Sequence, residues 1–417
     1  MSKKTAITIV IIFLLAAAFF AYWFLFMNGG NGTSIGTGDN NNLFPFGQNG
    51  TTNNTGVDNE NNTGATSSTS NLNEDIVILR QISSTPVAGA TIFKSGNRNL
   101  VRYIERGTGH IYETTTDQNA LNTRISNKTI PKIYEAYFAN SGKDLILRYL
   151  KEGTETIETF HAKIRVSTST DGTASLDGSF LAPNIDNISV LENSDKLFSL
   201  AQTSTGAVGI ISKTDGTSKN QIFNSFLNYW LTEWPRESTL ALTTKPASGE
   251  DGFLYYLNTQ TGTQTKVLGP VKGLTTLVSP DTTKVLYTES IAQSFKTYVY
   301  DVVKNQARTF DAKTLPEKCV WSKNDKETLY CAIPTNIPFA NYPEDRYQGL
   351  VSLNDNIWKI NINTGSTKLL ANLSTLSGKS LDAVNIKISD GGEYLLFENK
   401  NDLTLWGLDL LQIQKNN

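Results

Sequence analysis

A hairpin pattern recurs about seven times down the last four-fifths of this chain. In each copy an apolar or aromatic strand runs into a short turn of Ser, Asn, Asp, Gly and Lys, and a second apolar strand follows. Asn140–Asp144 leads into Leu145-Ile146-Leu147, and Ser279–Lys284 into Val285-Leu286-Tyr287. Ser322–Glu327 leads into Thr328-Leu329-Tyr330, and Ser389–Glu393 into Tyr394-Leu395-Leu396. Weaker copies lie at Ser95-Gly96-Asn97, Asn193–Lys196 and Pro235–Ser238. Repetition at a near-constant period constrains the architecture more than any single segment does.

Each unit extends past its first hairpin. In one, Val285–Thr288 is followed by Thr297–Asp301 and then, after a polar turn, by Ala307–Phe310. Another ends in Ile357–Asn363, a Thr-Gly-Ser turn and Thr367–Leu370. Four antiparallel strands per unit, joined by Gly-, Asn- and Asp-rich turns at a period of about 42–52 residues, predict the blades of an all-β propeller. The expected number is seven four-stranded blades over residues 75–417; six or eight requires one weak unit to be misread. The last unit offers only three good strands: Val384–Ile388, Tyr394–Phe397 and Leu403–Leu410. The missing fourth is expected from Ile76–Ile82, which would remove two open sheet edges.

The stretch Ser279–Tyr287, Ser-Pro-Asp followed by Lys and Leu-Tyr, resembles the TolB-like and WD-repeat propellers. The chain lacks the Gly-His and Trp-Asp dipeptides of WD repeats, so the TolB-like class fits better. That resemblance implies a binding platform or scaffold and names no partner.

Ahead of the repeats, Ala6–Met27 is an apolar run long enough, as a helix, to cross a hydrocarbon layer of roughly 30 Å. Apolar residues continue well past Ala16-Ala17-Ala18, so residues 1–27 read as an uncleaved anchor, with a removed signal peptide as the alternative. Lys3 and Lys4 precede the run and the next basic residue is Arg80, which places the N-terminus in the cytoplasm and the rest outside. Residues 28–74, rich in Asn, Gly, Thr and Ser, bury too little apolar surface to fold. They are expected to be a disordered linker with a root-mean-square span of about 35–40 Å.

Net charge is −2, and basic and acidic residues balance after residue 74. No field of one sign is available to draw in nucleic acid. His110 and His161 have no sequence neighbours at metal-ligand spacing. Gly32–Gly36 spells a nucleophile-elbow pattern, but in the linker rather than between a strand and a helix. No cofactor, metal or catalytic residue is expected. Cys319 and Cys331 flank the sixth hairpin and face each other across antiparallel strands; a disulfide and a pair of buried free thiols are both compatible with that spacing.

Two stretches suggest a binding surface. The second-to-third-strand connection of the sixth unit, Ile333–Gly349, is long and carries three prolines and three aromatics. The junction of the third and fourth units carries Phe226, Tyr229, Trp230 and Trp234. Propeller topology puts both kinds of connection on one face, so Phe226, Tyr229, Trp230, Phe339, Tyr342, Arg346 and Tyr347 are expected to rim a shared surface. In the competing reading, Tyr229, Trp230 and Trp234 are strand residues packed between blades. The functional expectation is a membrane-anchored, extracytoplasmic, non-catalytic module that binds or scaffolds an envelope or surface protein or glycan. The rival is a carbohydrate-active or other hydrolytic enzyme with carboxylates gathered in an axial pocket.

Overall fold

A computed structural model of the chain describes residues 77–126, 128–151, 153–154, 156–165 and 175–415. The chain divides between Asn71 and Leu72, and all described residues belong to the second unit. The expected anchor, Ala6–Met27, and the linker 28–74 lie outside the described residues. Among the described residues no helix is long and apolar enough to cross a membrane.

The second unit is all-β and built from seven four-stranded antiparallel sheets. Blades 1 to 6 are consecutive in sequence, at 87–124, 133–180, 185–225, 230–272, 275–309 and 319–372. Blade 7 takes three strands from 383–409 and its fourth from Leu79–Ser83. That closing strand pairs Leu79 with Leu408, Arg80 with Gly407 and Gln81 with Trp406. The seven blades and the borrowed strand agree with the reading from the repeats; the strand begins three residues later than the apolar pattern implied.

The first strands line the axis. Those of blades 1 and 2, 2 and 3, 3 and 4, 4 and 5, 6 and 7, and 7 and 1 lie against one another. The short 3-10 turn Pro316–Lys318 packs against the first strands of blades 5 and 7. Each junction between neighbouring blades holds its own apolar cluster. A blade is therefore covered on both sides, which is why second strands such as Leu145-Ile146-Leu147 and Leu395-Leu396-Phe397 are continuous buried runs rather than alternating ones.

The polar turns have specific work in this arrangement. Asp281 Oδ1 accepts from Ser279 Oγ (2.7 Å), Thr283 N (3.1 Å) and Thr283 Oγ1 (2.8 Å). Ser389 Oγ accepts from Glu393 N and Tyr394 N. Short side chains thus satisfy turn amides that no strand partner reaches. Cys319 and Cys331 are paired across the first two strands of blade 6 and joined by a disulfide.

Strand direction alternates within a blade. First-to-second and third-to-fourth turns therefore share one side, the hairpin face. Second-to-third and between-blade connections share the other, the loop face. The closing strand is a fourth strand, so the chain enters the ring at the hairpin face.

Candidate functional site

On the loop face, the connection after the second strand of blade 6 does not stay over its own blade. Ala340 N donates to Gln293 O (3.1 Å), and Ser290 Oγ donates to Tyr342 O, so the segment crosses the blade 5 turn. Glu344 Oε1 then accepts from Ser248 N (2.6 Å) and Ser248 Oγ (2.8 Å) in the corresponding turn of blade 4. Three blades are tied by one segment. Beneath it Tyr342 packs edge-on against Phe295 at 4.9 Å, in a small core with Leu315, Ala340, Val351 and Leu353.

A buried ion network anchors the other end. Arg346 makes a two-pronged pair with Asp382, at 2.7 and 2.8 Å. Lys318 Nζ bridges Asp382 and Asp355, each at 2.7 Å, and donates to Ala383 O. Leu353 N donates to Asp382 and Ala383 N to Asp355. Burial opposes charge on Asp382, yet Arg346 and Lys318 hold its carboxyl down at about 2. Removal of one member leaves a buried charge imbalance among the rest.

These contacts correct three of the expected rim residues. Tyr342 and Arg346 are buried, because their partners, Phe295 and Asp382 respectively, come from elsewhere in the chain. Trp230 is buried too, in the cluster between blades 3 and 4, edge-on to Phe223 at 5.4 Å. The competing reading, in which Tyr229, Trp230 and Trp234 are strand residues packed between blades, holds for Trp230 and Trp234 but not for Tyr229, which precedes the strand and is exposed. Four expected residues keep free surface: Phe226 (94 % exposed), Phe339 (89 %), Tyr347 (48 %) and Tyr229 (46 %). Leu227 and Leu350 are exposed beside them in sequence. The turn 245–250 of blade 4 links the two groups: Lys245 Nζ stands 4.6 Å from the centre of the Tyr229 ring, and Ser248 holds Glu344. Neither Lys245 nor Ser248 was legible as part of the surface. Their signal is positional, a second-to-third turn lying between the two aromatic stretches.

The axial space opens differently. Toward the hairpin face lies a cavity of about 240 Å³ between the first strands. Ile92, Phe138, Val190, Val320, Ile386 and Ile388 give it apolar walls, and Thr91, Glu192, Lys323 and Lys387 add polar groups. Lys323 belongs to the first hairpin turn of blade 6 and Glu192 to that of blade 3, nearly opposite in the ring. Lys323 Nζ nonetheless donates to Glu192, and to Asp390 of blade 7 at 2.8 Å. Burial pulls the Lys323 amine down, but the two carboxylates outweigh it and hold the group above the ordinary lysine value. The ion pair thus spans the axis at the cavity's hairpin end. Sequence reasoning missed these residues; the available signal was their place in first hairpin turns, which the topology gathers around the axis.

No protein-family model matches the chain, and comparison with curated proteins finds no match. Similar solved structures include an oligogalacturonate lyase in complex with manganese, at 11 % identity and TM-score 0.48, covering 79 % of this chain and 98 % of that one. The β-propeller domain of the Trilobed protease from Pyrococcus furiosus is similar at 12 % identity and TM-score 0.47, covering 78 % and 95 %. TolB from Acinetobacter baumannii is similar at 12 % identity and TM-score 0.41, covering 77 % and 78 %. The architecture rests on the seven sheets themselves, not on these likenesses.

Proposed function

We propose that this chain is a single-pass, N-terminally anchored protein whose extracytoplasmic propeller binds or scaffolds an envelope or surface protein through its loop face, without catalysis. The observation that carries the reading is the exposure of Phe226 and Phe339 on connections whose next backbone amide is held, Leu227 N by Ser225 Oγ and Ala340 N by Gln293 O. Large exposed aromatics on a preorganised backbone lose little entropy on binding and make good interface anchors. The chain enters the ring at the face opposite to this one. The rival enzyme reading calls for a pair of carboxylates facing the axial space. Glu192 is the one carboxylate lining the described cavity, and it is tied to Lys323.

A photo-crosslinking residue at position 226 or 339 of the full chain, in the membranes of the cell that makes it, tests this. Both positions should capture the same protein, and position 97 on the hairpin face should not. Phe226→Ser with Phe339→Ser should reduce co-purification of that protein at least tenfold and leave thermal stability unchanged. Equal capture from position 97, or full co-purification by the double variant, would count against the proposal. An adduct sensitive to glycosidases and resistant to proteases would assign the face to a glycan.

A further inference from the structure

The axial cavity holds one cation that the fold leaves unneutralised. Lys387 Nζ donates to the carbonyl of Ala90 at 2.5 Å, and among the described residues no carboxylate lies within ion-pair distance of it. The ionisable groups that act on it from neighbouring elements are Glu398, Glu192 and Lys323. Glu192 is committed to Lys323. Glu398 accepts from Asn385 Nδ2 at 2.9 Å, and burial holds its carboxyl above the ordinary value, toward the neutral form. Lys387 is exposed by surface area and is one of the residues lining the cavity between the first strands. Desolvation of its amine pushes it below the ordinary lysine value. An ammonium facing mostly apolar walls gains from an anion that brings its own apolar body, because both halves of such a ligand find a matching surface.

We infer that the axial cavity is a binding site for a small monocarboxylate with an apolar chain. Lys387 takes the carboxylate, and Phe138, Val190, Ile386 and Ile388 enclose the chain. The Lys323–Glu192 pair, stretched across the axis, forms the floor that retains the ligand. At about 240 Å³ the space lies below the roughly 300–1,000 Å³ of pockets for drug-sized ligands, which restricts it to a short chain. This site is independent of the loop face, and its occupant need not be related to the protein bound there.

Calorimetric titration of the full chain in lipid nanodiscs with hexanoate tests the inference, with empty nanodiscs as the blank and hexanol and hexylammonium as comparison probes. Hexanoate should bind saturably, at least tenfold more tightly than either comparison probe. Lys387→Met should weaken hexanoate at least tenfold, and Lys387→Arg should stay within a few-fold of the natural chain. Val190→Phe, which fills the space and leaves Lys387 in place, should abolish binding. Binding to the natural chain should weaken with rising pH before the ordinary lysine value of 10.5 is reached, because burial holds the amine below that value, whereas Lys387→Arg should show no such loss. Undiminished binding in Lys387→Met, equal affinity for hexanol, or the absence of saturable hexanoate binding would each overturn the inference.

Discussion

Glu233 offers a direct test of how the blades are held together. It lies in the first strand of blade 4, and its carboxylate reaches blade 5, accepting from Thr276 Oγ1 (3.1 Å) and Val278 N (2.9 Å). Among the described residues no cation pairs with it. Burial wins over the two hydrogen bonds and pushes the carboxyl from 4.5 up to about 7. The unfolded chain gives up this proton near the ordinary value, so between about pH 4.5 and 7 the folded state holds more protons. Stability must therefore fall as the pH rises through that window, and the loss is complete above it. A displacement of about 2.5, at about 1.4 kcal/mol each, gives roughly 3 kcal/mol. Glu233 keeps some accessible surface, and water screening there reduces the expectation to about 1–3 kcal/mol. Glu233→Gln keeps the shape and an acceptor for Val278 N but cannot ionise. The assay is urea unfolding followed by tryptophan fluorescence, with Trp234 next to the site, at pH 4, 6 and 8. The variant should match the natural protein at pH 4 and exceed it by about 1–3 kcal/mol at pH 8. Other titrating groups are common to both proteins and cancel in the difference. A difference that stays constant with pH, or a variant weaker at pH 8, would refute the reasoning.

Two further outcomes follow from the loop face and the sixth blade. Arg346→Met removes the two-pronged partner of Asp382 and should cost about 3–5 kcal/mol; limited proteolysis should then cut within 335–354 before the rest of the ring, and an unchanged digestion pattern would show that the network does not hold that segment. Cys319→Ala with Cys331→Ala frees a link of sequence separation 12. It should lower the unfolding free energy by about 2–3 kcal/mol, and equal stability in the denaturation assay would refute the disulfide's contribution.

The parts of this fold that were legible in the amino-acid order are the local ones. Hairpin turns announce themselves because Asp281 and Ser389 must satisfy nearby amides, and this needs only short polar residues at short range. The borrowed strand was legible because an apolar run without a unit of its own faced a unit short of one strand. The surface was harder to read. An aromatic in a connection looks alike whether it points out, as Phe339 does, or in, as Tyr342 does three positions later. What separates them is Phe295, supplied by blade 5. Arg346 looks like an interface residue until Asp382 is brought to it, 36 positions away. Lys323 and Glu192 are 131 positions apart, and they meet only because the ring closes with seven blades; with another number the same turns would face other partners.

The closing strand also decides how the ring responds to force. Under the proposed function, tension on the chain ahead of the ring would act at Leu79, at the end of the strand nearest the hairpin face, and a partner on the loop face would supply the opposing grip. Tension between the two runs largely along the strand, so the rungs Leu79–Leu408, Arg80–Gly407, Gln81–Trp406 and Ser83–Leu405 share the load in shear rather than unzipping one after another. The seam of the ring and its hitch are the same five residues, and the ring stays shut under such a pull until that ladder gives way as a unit.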